Sequence, residues 1–189
     1  MRITGGVLAG RQVATPGGVI RPAMDRMRES VFGALGDLTG FSFLDLFSGS
    51  GIIALEAASR GADPVEAVEM DSLKRKTLLD NVAMAPTRIR CHFMAVELYV
   101  RRARKRFDLI FCDPPFPYKF RRELAASIAA SPLMGPGSRL LIHRPKQEPW
   151  LQEGSDSVDT QYGGLSYEES RSYGRSVVDF LKKNSCIFR

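Results

Sequence analysis

The chain has 189 residues, 44% of them hydrophobic and 25% charged, values typical of one soluble domain with a hydrophobic core. Its net charge of +6 and isoelectric point near 9.5 favour a polyanionic partner, with nucleic acid the first candidate. The sequence contains no apolar stretch long enough to span a membrane and no apolar segment typical of a signal peptide. We therefore expect a cytoplasmic protein with no membrane partner.

Cysteine and histidine are sparse. The three cysteines, Cys91, Cys112 and Cys186, are scattered, no CxxC pair occurs, and there are two histidines. This pattern argues against a zinc site and against a disulfide framework. We expect reduced thiols, no metal in the site and a monomeric protein.

The amino-terminal segment predicts a short β-hairpin over residues 2 to 15, because Ile3, Val7 and Val13 favour strands and Gly10 lies between them. Apolar residues then recur at helical spacing and predict a helix from about 24 to 36, with Asp25 as its N-cap. We expect residues 1–22 to form an extension and residues 23–189 to form the main domain.

From residue 41 onward, short apolar runs alternate with segments of helix-forming composition. The runs lie at 41–47, 65–70, 89–94, 107–112 and 138–144. A turn-rich connection at 153–166 precedes a final strand, SVVDFLKK. This alternation is typical of βα units, so the sequence predicts an α/β fold with a doubly wound, parallel sheet.

A glycine loop, SGSG, follows the first apolar run. Gly49 and Gly51 would let the backbone turn sharply and approach a ligand closely. The loop is no Walker motif, since no lysine follows it. Asp45, near the end of the strand, would repel a pyrophosphate but attract the ammonium group of S-adenosylmethionine. Glu69, at the end of the second run, could accept hydrogen bonds from ribose hydroxyls, a contact that NAD and S-adenosylmethionine would share.

The fourth run ends in Asp113-Pro114-Pro115-Phe116. An exocyclic amine on a base is a poor nucleophile because its lone pair is delocalised. A carboxylate and a backbone carbonyl can accept its two N–H bonds and favour a pyramidal nitrogen. Pro115 would hold the Pro114 carbonyl outward, and Phe116 could stack on a base taken out of its helix. The methyl group of S-adenosylmethionine is the electrophile that fits this chemistry.

The motifs DLFSGSG, VEMD and DPPF, in this order, resemble the amino-methyltransferases with a D/N-P-P-Y/F motif. The segments MRITGGVLAGRQVATP and RPAMDRMRESVF resemble the opening of the bacterial family that methylates guanine N2 in 16S ribosomal RNA. The resemblance implies a Rossmann-like class I methyltransferase with a seven-stranded sheet, with S-adenosylmethionine as cofactor. It also implies 16S ribosomal RNA, or a 30S subunit or assembly intermediate, as partner.

Site residues follow from the resemblance. It implies that Asp113, Pro114 and Phe116 hold the target guanine. The expected cofactor contacts are Asp45, Phe47, Gly49, Gly51, Glu69, Met70 and Ala95. Where the family usually carries an acid that meets the adenine amine, this chain has Met94, so adenine would depend on apolar stacking and backbone groups.

Basic residues predict where RNA would bind. The resemblance implies that Arg21, Asp25 and Arg28 border the active site or the RNA. The remaining expected phosphate contacts are Arg2, Arg11, Lys119, Arg121 and Arg122. The basic run at 101–106 precedes the fourth strand and should lie at the opposite edge of the sheet, away from the reaction.

Four alternatives remain open. An N6-adenine DNA methyltransferase would share Asp113 and Phe116 but should carry a target-recognition insertion. A protein-glutamine methyltransferase usually has Asn at the first motif position. An RNA-binding assembly factor that has lost catalysis is compatible with Met94, although Asp113 is intact. An NAD oxidoreductase lacks an evident catalytic histidine or Lys/Tyr pair.

Overall fold

The computed structural model describes residues 1–15, 22–147 and 164–185. The chain forms two compact units, Met1–Val96 and Glu97–Arg189. Arg21, Cys186 and most of the predicted connection at 153–166 lie outside the described residues. The predicted domain boundary after residue 22 stays a prediction.

The first unit contains three helices and three strands among its described residues. In chain order the elements are α1 (Pro22–Leu35), β1 (Phe43–Leu46), α2 (Ile52–Ser59), β2 (Val65–Val68), a 3₁₀ turn (Ser72–Lys74), α3 (Arg75–Val82) and β3 (Ile89–His92). Parallel pairing joins β1 to β2 and β2 to β3. The predicted helix at 24–36 is confirmed as α1. Asp25 lies inside its first turn, so the N-cap prediction is wrong, and the helix begins at a proline, which suits that position.

Helix α2 is the centre of this unit. Every one of its residues is buried, and it packs against β1, β2, α1 and α3, which explains why its composition is apolar all round. Gly51 precedes it at φ 80°, a left-handed conformation that favours glycine. A Cβ on Gly51 would come within 2.5 Å of Leu78 Cδ1, so close packing against α3 also requires glycine there.

The amino-terminal residues pair as the predicted hairpin, although they form one β-bridge only, between Arg2 and Gln12. Ile3 N donates to Arg11 O at 3.0 Å, and Gly10, at φ 81°, lies in the turn. The hairpin is fixed to the end of α2, where Val7 N donates to Ser59 O at 2.8 Å.

The second unit supplies the remaining elements. They are α4 (Val96–Arg102), β4 (Leu109–Cys112), α5 (Arg121–Ala130), β5 (Arg139–Pro145), β6 (Leu165–Tyr173) and β7 (Ser176–Lys183). Strands β4 and β5 are parallel, whereas β7 is antiparallel to both β5 and β6. The position of β6 was not predicted, and Leu165 and Ser166 belong to this strand rather than to the predicted connection.

The strands follow the order β3-β2-β1-β4-β5-β7-β6 in a seven-stranded sheet. This is the α/β Rossmann-like arrangement, with one antiparallel strand, β7, placed between β5 and β6, and it confirms the predicted fold class. No helix in the described part of the chain is long and apolar enough to cross a membrane.

Candidate active site

The glycine loop of the first unit is held by the strand that precedes it. Asp45 is 1% exposed, and its Oδ2 accepts a hydrogen bond from Ala54 N at 3.2 Å. Because Ala54 lies in the first turn of α2, the carboxylate fixes the start of the helix that follows the loop and adds favourable negative charge there. Asp45 therefore has a structural role here, and its predicted contact with a cofactor ammonium stays a prediction.

Ser48 fixes the other side of the loop, a role that the sequence did not indicate. Its Oγ donates to Asp45 O at 2.8 Å and accepts from Val68 N at 3.0 Å. Ser48 N also donates to Val68 O at 2.9 Å. These bonds tie the loop to the end of β2.

Two backbone conformations in the loop are typical of a binding site. Phe47 has φ 66°, the only positive φ of a non-glycine residue in the described part of the chain, and such strain costs about 1–3 kcal/mol and is concentrated at functional sites. Gly49 has φ 55°, and a Cβ there would meet no atom within 4 Å. The space beside Gly49 is therefore open to a ligand.

Glu69 connects the glycine loop to the end of β2. It is 6% exposed, its Oε2 accepts from Gly49 N at 2.7 Å, and its Oε1 accepts from Asp71 N at 2.8 Å. Lys74 Nζ lies 3.7 Å from Oε1. Each carboxylate oxygen can accept a second hydrogen bond, so Glu69 fits the ribose contact predicted for it while it orders the loop.

The other predicted cofactor residues lie at the ends of neighbouring strands. Met70, which follows Glu69, is 69% exposed, and Ala95 follows β3 beside the half-buried Met94. In β3 itself, burial and, to a smaller extent, the negative charge of Asp45 raise the pKa of the Cys91 thiol. The contact of Met70 and Ala95 with a cofactor stays a prediction.

In the second unit, Asp113 directly follows β4 and contacts a histidine of the neighbouring strand. The register pairs Cys112 with Ile142, so the next residues, Asp113 and His143, lie side by side. His143 Nδ1 is 2.7 Å from Asp113 Oδ1. Asp113 Oδ2 has no hydrogen-bond partner within the described ranges. Sequence reasoning missed His143, which stands alone as a polar side chain in the apolar run LLIH.

The loop after Asp113 is organised by Arg121, which is 3% exposed. Its guanidinium donates to Pro115 O at 2.8 Å, to Phe116 O at 2.9 Å and to Tyr118 O. Because the side chain is buried and its Nη1 and Nη2 donate inside the loop, Arg121 orders this segment, and its predicted contact with RNA phosphate stays a prediction. Pro114 is buried, and its carbonyl accepts no hydrogen bond from the residues that the structure describes.

Aromatic and basic side chains surround this motif. The Phe116 ring is 40% exposed and lies edge-on to the His143 ring at a centroid distance of 5.6 Å. Lys119 and Arg122 are exposed, as predicted for phosphate contacts. Tyr118 OH donates to Glu97 at 2.7 Å, and burial together with this hydrogen bond raises the pKa of the Tyr118 phenol.

The basic residues predicted in the first unit divide into exposed and buried ones. Arg2 and Arg11 are exposed on the hairpin. Arg28 is 2% exposed and contacts Glu56 at 2.9 Å, Asp25 at 3.1 Å and Arg2 O at 2.7 Å. The charge of Arg28 is thus neutralised inside the unit, and its predicted position at the border of the active site or the RNA stays a prediction.

Two further expectations concern groups away from this motif. Arg106, at the end of the basic run, donates to Pro136 O at 2.7 Å and precedes β4, which puts the run at the amino end of that strand.

Across residues 1–15, 22–147 and 164–185, no group of three or more His, Cys, Asp or Glu is placed to hold a metal ion.

Sequence comparison adds to this geometry. A model of the family described as conserved hypothetical protein 95 matches residues 1–182. The Escherichia coli (strain K12) ribosomal RNA small subunit methyltransferase D is 33% identical over 119 residues, which are 61% of this chain and 60% of the relative. The chain thus matches less than two thirds of that relative's length. A tRNA1(Val) (adenine(37)-N6)-methyltransferase of Cytophaga hutchinsonii is 33% identical over 90 residues, 46% of this chain and 38% of the relative.

Solved structures show the same fold. A proposed methyltransferase of Escherichia coli, yhhF, superposes with a TM-score of 0.82 at 24% identity and covers 98% of both chains. A second proposed methyltransferase, SMU.776, was solved with S-adenosylhomocysteine bound. It has a TM-score of 0.66 at 16% identity and covers 93% of this chain and 52% of that one. At these identities the similarity establishes the Rossmann-like methyltransferase fold.

Proposed function

This chain belongs to the conserved hypothetical protein 95 family, and from that premise we propose that it transfers a methyl group from S-adenosylmethionine to the N2 amine of a guanine in small-subunit ribosomal RNA. The observation that carries the proposal is the pair of acceptors at the end of β4. Asp113 Oδ2 and the Pro114 carbonyl are adjacent along the chain, and neither has a hydrogen-bond partner among the described residues.

The proposed chemistry needs two acceptors because the guanine amine has two N–H groups. Accepting both would draw the nitrogen toward a pyramidal geometry and make its lone pair available to the methyl carbon. After transfer the nitrogen carries one proton in excess, and the Asp113 carboxylate, already hydrogen-bonded to the amine, is placed to accept it. The exposed part of the Phe116 ring offers a surface on which the extruded base can stack.

In this proposal the first unit binds the cofactor. S-adenosylmethionine would supply the electrophilic methyl group on its sulfonium. Glu69 would accept hydrogen bonds from the ribose, and the open space beside Gly49 would take the methionine end. Phe47, Gly51, Met70 and Ala95 complete the proposed cofactor set, with Asp45 supplying a negative charge opposite the ammonium group.

The proposed RNA contacts are the exposed members of the predicted basic set. In the second unit, Lys119 and Arg122 flank the motif that would hold the guanine, and in the first unit Arg2 and Arg11 lie on the hairpin. Arg21, also predicted to contact RNA, lies outside the described residues. Such phosphate contacts supply affinity and salt sensitivity rather than choice of sequence. Ribosomal RNA as substrate would place the protein in the cytoplasm.

A second candidate acts on a different base. Adenine N6 is also an exocyclic amine with two N–H groups, and the same acceptor pair could bind it. The similarity to tRNA1(Val) (adenine(37)-N6)-methyltransferases supports this alternative. One such relative shares a 90-residue stretch of similar sequence with the chain. The two candidates differ in substrate and in product, so one assay separates them.

The test is incubation of the protein with labelled S-adenosylmethionine and one of three RNAs. These are 30S subunits from a strain that lacks its own small subunit methyltransferase D, protein-free 16S RNA from the same subunits, and tRNA. The proposal predicts label in 30S subunits or in 16S RNA. Label confined to tRNA would favour the second candidate, and no label in any RNA would refute both.

An Asp113→Ala variant tests the roles of the residues. It should bind S-adenosylmethionine like the wild type but lose transfer, because the amine loses one acceptor. Asp80→Ala is the matched control, since Asp80 is an exposed carboxylate whose partner, Lys76, is also exposed. Full activity of Asp113→Ala would show that the mechanism is wrong.

A further inference from the structure

His143 is a buried ionisable side chain to which the proposed mechanism assigns no part. It is 1% exposed and lies in the middle of β5, between Ile142 and Arg144. An imidazole at such a position is costly to bury unless its polar atoms are hydrogen-bonded. A leucine or valine would fill the same place in the strand without that requirement, so the histidine calls for a physical reason.

The hydrogen bonds of His143 indicate which ring nitrogen donates. Nδ1 is 2.7 Å from Asp113 Oδ1, and a carboxylate oxygen only accepts, so the proton of this bond lies on Nδ1. Nε2 is buried and has no hydrogen-bond partner in the described part of the chain. A proton on Nε2 would be buried without an acceptor, whereas a proton on Nδ1 is accepted by Asp113 Oδ1, so Nδ1 is the ring nitrogen that donates.

We propose that His143 is a positioning residue that fixes the Asp113 carboxylate for methyl transfer. By donating from Nδ1 to Oδ1, it occupies one carboxylate oxygen and leaves Oδ2 as the oxygen that accepts from the substrate amine. This inference rests on the proposed function, because the value of a fixed Oδ2 depends on the presence of an exocyclic amine.

Two observations indicate that the His143–Asp113 hydrogen bond does more than give a buried histidine a partner. The terminal torsion of an aspartate side chain is broad, and the Asp113 side chain is 23% exposed, so packing alone does not fix its carboxylate. The Phe116 ring also lies against the His143 ring, at 61° between the ring planes. His143 thus contacts both side chains that would hold the guanine.

The first test measures the tautomer directly and needs no activity. The chain contains two histidines, so nitrogen-15 NMR of the imidazoles gives two sets of signals, and a His92→Gln variant assigns them. We expect Nδ1 of His143 to carry a proton in the wild type. In Asp113→Ala the preference for Nδ1 should be lost. A wild-type ring without a proton on Nδ1 would overturn the inference.

The second test separates positioning from folding. His143→Leu removes the donor and replaces the ring with an apolar side chain of similar size. His143→Asn instead supplies an amide donor near the position of Nδ1. For His143→Leu we expect kcat for 30S methylation to fall by up to about 100-fold, the scale of a misplaced catalytic group. The Kd for S-adenosylmethionine should not change. His143→Asn should recover part of the lost kcat.

A double variant completes the test. If His143 acts through the carboxylate, His143→Leu should lower kcat much less in an Asp113→Asn background than in the wild type, because the two changes then remove the same interaction. Equal effects in both backgrounds, or an unchanged kcat in His143→Leu, would overturn the inference while wild-type methylation still stands. If the wild type methylates no RNA, the proposed function fails instead, and the NMR result still decides whether His143 donates to Asp113.

Discussion

Replacing Arg121 with methionine should loosen the segment that follows Asp113. The guanidinium is 3% exposed and donates to the carbonyls of Pro115, Phe116 and Tyr118. Hydrogen bonds from a charged donor contribute about 1.5–3 kcal/mol each when buried. Pro115 and Phe116 are exposed, so water can replace some of the hydrogen bonds that their carbonyls lose. We therefore expect Arg121→Met to lower the free energy of unfolding by about 2–4 kcal/mol.

For a chain of this length, 1 kcal/mol lowers Tm by about 2–4 °C, so thermal unfolding followed by circular dichroism will resolve the effect. Arg122→Met is the control for stability, since it removes the same charge from the next residue, which is exposed. The reasoning predicts a large fall in Tm for Arg121→Met and a small change for Arg122→Met. Equal Tm values for the two variants would refute the role assigned to Arg121.

Two further predictions concern the first unit. Glu56→Gln should lower the free energy of unfolding by about 3–5 kcal/mol, because Glu56 is fully buried and pairs with Arg28 and Arg60. Chemical denaturation measures this free energy. A decrease of less than about 1 kcal/mol would contradict the prediction. Asp45→Asn should lower the pKa of the Cys91 thiol, because a negative charge that raises it is removed while burial remains. The alkylation rate of Cys91 should then rise at lower pH than in the wild type, and an unchanged or upward-shifted profile would contradict the assigned cause.

The strand pattern could be predicted because parallel strands buried on both faces are nearly continuous apolar runs. Val65–Val68 and Leu109–Cys112 are buried at every position, and both lie inside predicted runs. Strand Leu165–Tyr173 was not located because it pairs with one neighbour only, at the end of the strand order, and most of its residues are polar and half-exposed. Edge strands of this kind lack the apolar signal.

The candidate site was predictable as far as the sequence places Glu69 and Asp113 at strand ends, and their roles there stay predictions. It was not predictable where the role depends on contacts between side chains. In the sequence, Arg28 and Arg121 resemble solvated cations. In the structure Arg28 is buried against Glu56, which is distant in sequence, and Arg121 is buried against the local loop that contains Pro115. His143 could have been found from the register of β4 and β5, which places it beside Asp113.

The identity of the methylated nucleoside tests the central claim most directly. RNA from 30S subunits treated with the protein and labelled S-adenosylmethionine is digested to nucleosides and separated by chromatography with mass detection. The account predicts label in N2-methylguanosine, abolished in Asp113→Ala and retained in Asp80→Ala. Label in N6-methyladenosine, or the absence of any labelled nucleoside, would contradict it.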